Sequence, residues 1–257
     1  MWTWEIPVYF YVGGLAGASA GVSRLAEARG NDALAARAAA VAVAGAGVSP
    51  VLLISDLGRP ARFLHMLRMF KVTSPMSVGS WTLVAFSTAA GAGLLDRIAG
   101  GRVPGGRAAR TAAGVLGLPL ASYTAALVAN TAVPVWHESR RILPFVFVAG
   151  AAASSGALLT ALTPVADAAP ARRLAVAGAA FEIAATRLLH RSVGPLADAY
   201  RSPADTASTV ALTGGAALIA AAARRSRLAA AAGGALVNAG AFLGRWSVYK
   251  AGFRGTG

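Results

Sequence analysis

Uncharged apolar stretches recur along this chain at the length of a membrane span. Residues 6–23 carry no charge between Glu5 and Arg24, and 38–55 carry none between Arg37 and Asp56. The same holds for 72–95, 111–136, 142–166, 206–223 and 228–244. A helix needs about 20 residues, rising about 1.5 Å each, to cross the hydrocarbon core of a bilayer. These seven runs meet or approach that length, and an eighth, 172–190, is interrupted by Glu182 and Arg187. The pattern predicts an all-α integral membrane protein with eight transmembrane helices, over about 6–23, 38–55, 76–95, 111–131, 143–165, 172–190, 206–223 and 228–246. They would form a single polytopic membrane domain over 1–257, arranged as two four-helix bundles.

Many of these runs are rich in Ala and Gly, which a soluble helical bundle could also use. Such a bundle needs a polar stripe along each helix, and none of the seven runs has one. Small residues are also what closely packed helices use in lipid, as with Gly13, Gly14, Gly17 and Gly21 in the first run and Gly233 and Gly234 in the last. Trp2, Trp4, Tyr9, Tyr11, Trp81, Trp136, Trp246 and Tyr249 lie near span ends, where aromatic belts form. Pro7, Pro50, Pro119 and Pro144 fall within or at the start of spans, which neighbouring helices make tolerable in lipid.

Composition agrees with a bilayer as solvent: 56% of residues are hydrophobic and 13% charged, against about one-quarter charged in soluble domains. The net charge of +14 would suit nucleic acid, but the Arg residues sit in short groups between apolar runs, as in membrane-protein loops. Nucleic acid is therefore excluded as a partner. The first apolar run starts at Ile6 with no basic region before it, so it reads as a first span and not as a signal peptide. With no Cys, the chain offers no disulfide, no thiolate metal site and no iron–sulfur ligand. Eight spans put both termini on one side with 56–77, 132–142 and 190–205; half of the 24 Lys and Arg residues fall on each side, so charge sets no orientation.

Three places could carry chemistry. The loop 56–77 concentrates Asp56, Arg59, Arg62 and His65, with Gly58 and Pro60 predicting a fixed turn; it is either a grip for an acidic surface or headgroup, or a solvated loop. Tyr123, inside the fourth span, needs a partner for its hydroxyl: a quinone carbonyl or a backbone carbonyl would serve. Glu182, in mid-span with Arg187 five residues on, is either a proton relay or half of a structural pair with an Arg such as Arg245. A bis-His haem is excluded, because His65, His137 and His190 all map to loops or span ends.

These residues resemble a family. The start Trp2-x-Trp4-x-Ile6-Pro7-x-Tyr9-Phe10-Tyr11-x-Gly13-Gly14 looks like the first span of the NrfD family, which includes the membrane subunit of polysulfide reductase. Asp56-Leu57-Gly58-Arg59-Pro60-x-Arg62-Phe63 is similar to that family's most specific motif. Ser74-Pro75-Met76-Ser77, Tyr123 with Pro134-Val135-Trp136, Leu143-Pro144-Phe145, and Arg245 with Tyr249 and Gly252 follow in order. The resemblance implies a quinone-reactive membrane subunit in a prokaryotic cytoplasmic membrane, binding menaquinone or ubiquinone and no haem. It implies two partners, a Cys-rich iron–sulfur subunit and a molybdopterin-type catalytic subunit. Carried over, it puts Tyr123, Glu5, Tyr9, Asp56, Arg59 and His65 near the quinone head. Where the polysulfide reductase branch has Asn and His near the first span, this chain has Trp4 and Glu5, which leaves His65 or His137 to take that place. Glu182, with Arg187 and Arg245, falls where some members carry an acid linked to proton movement. The competing functions are a secondary transporter and a structural anchor with a non-functional quinone site.

Overall fold

The computed structural model describes residues 3–254; Trp2, of the aromatic belt and the N-terminal motif, lies outside them. Helices account for most of this range, and no strand occurs among the described residues. In chain order they are α1 (Glu5–Ala28), α2 (Asp32–Asp56), α3 (Pro60–Met66), α4 (Pro75–Ile98), α5 (Gly106–Ala129), α6 (Pro134–Glu138), α7 (Leu143–Leu162), α8 (Ala169–Ser192), α9 (Ala197–Tyr200), α10 (Pro203–Ala222) and α11 (Arg227–Arg254).

Local chemistry sets the boundaries. Asn31, Ser74 and Ser202 each accept a backbone N–H three residues on and so cap α2, α4 and α10. Pro opens α3, α4, α6 and α10 in their first turns, where its missing N–H costs nothing. Gly30, Gly58, Gly100 and Gly194 take positive φ in the turns that end helices. At Gly58 this turn ends α2 and lets α3 begin at Pro60, so the predicted 56–77 loop holds a short helix. Likewise α6 lies within the predicted 132–142 loop and α9 within 190–205.

Among the described residues, six helices (α1, α2, α4, α5, α7 and α10) are long and apolar enough to cross a membrane. The predicted spans at 172–190 and 228–246 are helices of sufficient length, 24 residues in α8 and 28 in α11. Their charges keep them short of the same apolar content: Arg172, Arg173, Glu182 and Arg187 in α8, and Arg227, Arg245, Lys250 and Arg254 in α11. Among the described residues the fold is therefore all-helical with six apolar membrane-length helices, to which α8 and α11 add two of span length.

The chain divides into two compact units, Met1–Tyr123 and Thr124–Gly257. In the first, α1 packs on α2 and α2 on α4, while α1 and α4 also meet α5. Gly17 of α1 and Gly117 of α5 bring the two backbones into direct contact: a Cβ on either would run into the other's carbonyl oxygen. Gly93 similarly receives Arg110. The second unit repeats the plan with α7, α8, α10 and α11, each packed on two of the others. Gly156 and Gly178 admit the α7–α8 contact, and Gly215, Gly233 and Gly240 the α10–α11 contact. Each unit is an antiparallel four-helix bundle, with α3 in the longest connection of the first and α9 in that of the second.

Candidate functional site

In the first unit α1 and α5 run antiparallel, so the start of α1 faces the end of α5. Tyr9, fully buried, and Tyr123 meet there hydroxyl to hydroxyl, with their rings edge-on at 6.5 Å between centroids. Gly79 of α4 lies directly under the Tyr123 ring, where a side chain would displace it. The pair therefore depends on three helices. A tyrosine hydroxyl carries one proton. When one of two paired hydroxyls donates to the other, the second keeps its proton for an outside acceptor.

Glu5 lies one turn before Tyr9 on the same face of α1. Its Oε1 accepts from Ser55 at 3.4 Å, while its buried Oε2 has no partner among the described residues. Asp56 accepts from the Thr3 backbone N–H at 3.2 Å and from the Thr3 hydroxyl at 2.7 Å, which ties the chain before α1 to the end of α2. Arg59 and His65 stand exposed on the turn and on α3. Glu5, Tyr9, Tyr123 and Asp56 thus gather at one end of this bundle. Arg59 and His65 share that end without touching the tyrosines.

The opposite end of the first unit holds a charge cluster that was not singled out from the sequence. Asp96, almost fully buried, pairs with Arg110 and accepts the Val103 N–H at 3.0 Å. Glu27 bridges Arg110 at 3.0 Å and Arg97 at 3.5 Å. Gly106 presses against the Asp96 carboxylate. In sequence these are charges at the ends of runs, indistinguishable from solvated loops.

In the second unit Glu182 and Arg245, each 2% exposed, pair at 2.6 Å between Oε1 and Nη1. Arg245 also donates through Nη2 to the Phe147 carbonyl at 2.7 Å, and its guanidinium lies 4.6 Å from the Phe147 ring centroid. Gly150 leaves room for both charged groups. Arg187 takes no part: five residues along a helix is about 140° of rotation, and Arg187 stands exposed. Glu182 Oε2 has no partner among the described residues. Beside it a narrow cavity, with room for a water molecule, is lined by Thr186, His190, Asp205 and Ser208. His190 Nε2 lies 3.9 Å from Asp205 and its ring stacks on Tyr200. The Tyr200 hydroxyl meets Ser139 at 2.6 Å and donates to the Val135 carbonyl at 3.2 Å. Burial pushes the Tyr200 hydroxyl up to about 12, against a smaller lowering by Ser139.

His137 is exposed on α6. Its neighbour Trp136 is structural: the indole N–H donates to the Val248 carbonyl at 2.8 Å, and the ring packs on Gly252. No group of three or more His, Asp or Glu side chains able to hold a metal occurs among the described residues.

Long apolar helices packed through glycines, with their buried charges at a bundle end and in one mid-bundle pair, define a multi-pass membrane protein. A family model described as polysulfide reductase, of the NrfD type, matches residues 1–256, and the chain belongs to that family. A comparison with curated proteins returns no match.

Proposed function

We propose that this chain is the quinone-reactive membrane subunit of a multisubunit oxidoreductase, passing electrons between the membrane quinone pool and an iron–sulfur subunit. The observation that carries this reading is the Tyr9–Tyr123 pair, with one surplus hydroxyl proton at the polar end of an apolar bundle. A quinone, menaquinone or ubiquinone, supplies two carbonyl acceptors and reversible two-electron chemistry when bound. With Tyr9 donating to it, Tyr123 keeps one proton that suits one carbonyl, and the unpartnered oxygen of Glu5, one turn from Tyr9, suits proton exchange. Asp56 holds the start of α1 in place through Thr3. Arg59, His65 and, on the second unit, His137 are exposed, as residues meeting a docking partner or the membrane edge would be. With no Cys in the chain, the electron carriers belong to partners: a Cys-rich iron–sulfur subunit and a molybdopterin-type catalytic subunit.

The α8 and α11 helices complete eight spans in this reading. Glu182 and Arg245 are turned inward, while Phe181, Leu188, Leu228 and Leu236 stand exposed, as lipid-facing side chains would. Glu182, with its free oxygen beside a water-sized cavity, acts as a proton carrier held by Arg245, and Arg187 is outside that path.

The test is purification of the complex from native membranes in mild detergent, with its subunits and lipid extract identified by mass spectrometry. A Cys-rich iron–sulfur protein, a molybdopterin subunit and a bound quinone support the reading. A lone chain without partner or quinone, while other membrane complexes survive the same detergent, contradicts it and favours a transporter.

A further inference from the structure

A cleft between α8 and α10 opens at the end of the second bundle that carries the 163–168 and 223–226 connections. Its mouth holds Arg172 and Arg173, from the first turns of α8, and Arg224, just beyond α10. Its walls below are Val176, Ala177, Ala180 and Ala220. The cleft's cavity volume is about 710 Å³, within the roughly 300–1,000 Å³ of drug-sized sites. Arg172 is braced by its Nη1 hydrogen bond to the Val165 carbonyl at 3.0 Å. Arg173 and Arg224 lie close enough to act on it electrostatically. None of the three forms an ion pair with a carboxylate among the described residues. Like charges held this close repel, and the N-terminus of α8 adds positive potential at the same spot. The first unit gathers arginines at a helix end too, but there Glu27 and Asp96 neutralise them.

We propose that this cleft binds an anionic phospholipid, its phosphate on Arg172, Arg173 and Arg224 and an acyl chain along the Val176, Ala177 and Ala180 wall. Guanidinium groups match phosphate oxygens in geometry and charge, and basic pockets between membrane helices hold anionic headgroups. A free phosphate would satisfy the mouth and leave the apolar wall bare; a neutral lipid would do the reverse. The inference rests on α8 crossing the bilayer beside α10. It is independent of the quinone reading, since the cleft shares no residue with the tyrosine pair.

The experiment is native mass spectrometry of the delipidated complex, titrated in mild detergent with cardiolipin, phosphatidylglycerol, phosphatidylcholine or inorganic phosphate. The expected result is an adduct with the two anionic lipids at concentrations where phosphatidylcholine and phosphate give none. The R172Q/R173Q/R224Q variant should bind on the order of a hundredfold more weakly, at about a factor of five per arginine. R102Q/R107Q, removing exposed arginines of the first unit, should bind as wild type does. If the triple variant fails to assemble, R224Q alone, outside any helix, should still weaken binding about fivefold. Equal binding of phosphatidylcholine, binding of phosphate as strong as that of lipid, or unchanged binding in R224Q would overturn the proposal. So would an equal loss in R102Q/R107Q, or an adduct seen only while partner subunits remain attached.

Discussion

The two bundles share a plan of four antiparallel helices, yet they place their charges in opposite ways. The first keeps its ion pairs at one end, where Glu27, Asp96, Arg97 and Arg110 tie α1, α4 and α5 together. Away from that end its buried polar groups are neutral hydroxyls, Tyr9, Ser19, Ser49 and Ser80 among them, with Tyr123 meeting Tyr9. The second carries an ion pair inside, Glu182 with Arg245, each 2% exposed. At the end of the first bundle Glu27, Arg97 and Arg110 keep part of their surface open, and the buried Asp96 has Arg110 beside it. A carboxylate in mid-bundle is stable only with its partner fixed beside it. The first bundle can therefore present a neutral donor to a ligand, while the second is built around a charged group that can gain or lose a proton.

The contrast can be broken most strongly at the buried pair. R245M leaves Glu182 charged and alone and should destabilise the protein by about 3–5 kcal/mol, read as a lower unfolding midpoint in detergent. E182L/R245M should recover most of that loss, because removing both partners removes the unpaired charge. A single variant as stable as wild type would show that the pair is open to water.

Tyr200 gives the next effect. Its hydroxyl titrates at about 12 in the fold and at about 10 in an unfolded chain. The neutral form is the one the fold favours, so its contribution is complete below pH 10 and is lost as pH rises from 10 towards 12. The loss is about 3 kcal/mol at most. Y200F should be less stable at neutral pH, having lost its bonds to Ser139 and Val135, and should lack this alkaline slope in the unfolding midpoint. An identical slope in Y200F would assign it to another group.

Glycine substitutions sharpen the comparison on a smaller scale. G17A should cost about 1–3 kcal/mol, because its Cβ meets the Gly117 carbonyl across the α1–α5 contact. It should also weaken the tyrosine pair that this contact positions. G47A, where a Cβ meets nothing within 4 Å, should be neutral or slightly stabilising. Equal effects of the two on thermal unfolding would mean that the backbone approach of α1 to α5 does not hold this bundle.

The long helices were legible in the sequence because a bilayer tolerates few charges, and charge-free runs bounded by Arg, Lys, Asp or Glu follow from that alone. Arg245 could be named as a partner for Glu182 because a buried carboxylate demands one; Arg187, nearer in sequence, points elsewhere because a helix turns about 100° per residue. The meeting of Tyr9 and Tyr123 could not be read from spacing. It depends on which helices lie side by side, and Gly17 and Gly117 decide that only once they face each other. The short helices α3 and α6 were hidden behind Pro60 and Pro134, which signal a turn and a helix start equally well. Trp136 read as a belt residue from composition, whereas its indole N–H is satisfied by the α11 backbone.

The most direct test of the account is quinol-coupled turnover of the purified complex carrying Y123F, measured beside its turnover with an artificial electron donor that bypasses the membrane subunit. Losing the hydroxyl should cost fold stability only about 1 kcal/mol. The account predicts an intact complex, unchanged bypass activity and quinol turnover reduced by about a hundredfold or more. Quinol turnover equal to that of wild type would contradict it, leaving the Tyr9–Tyr123 pair a packing feature of the first bundle.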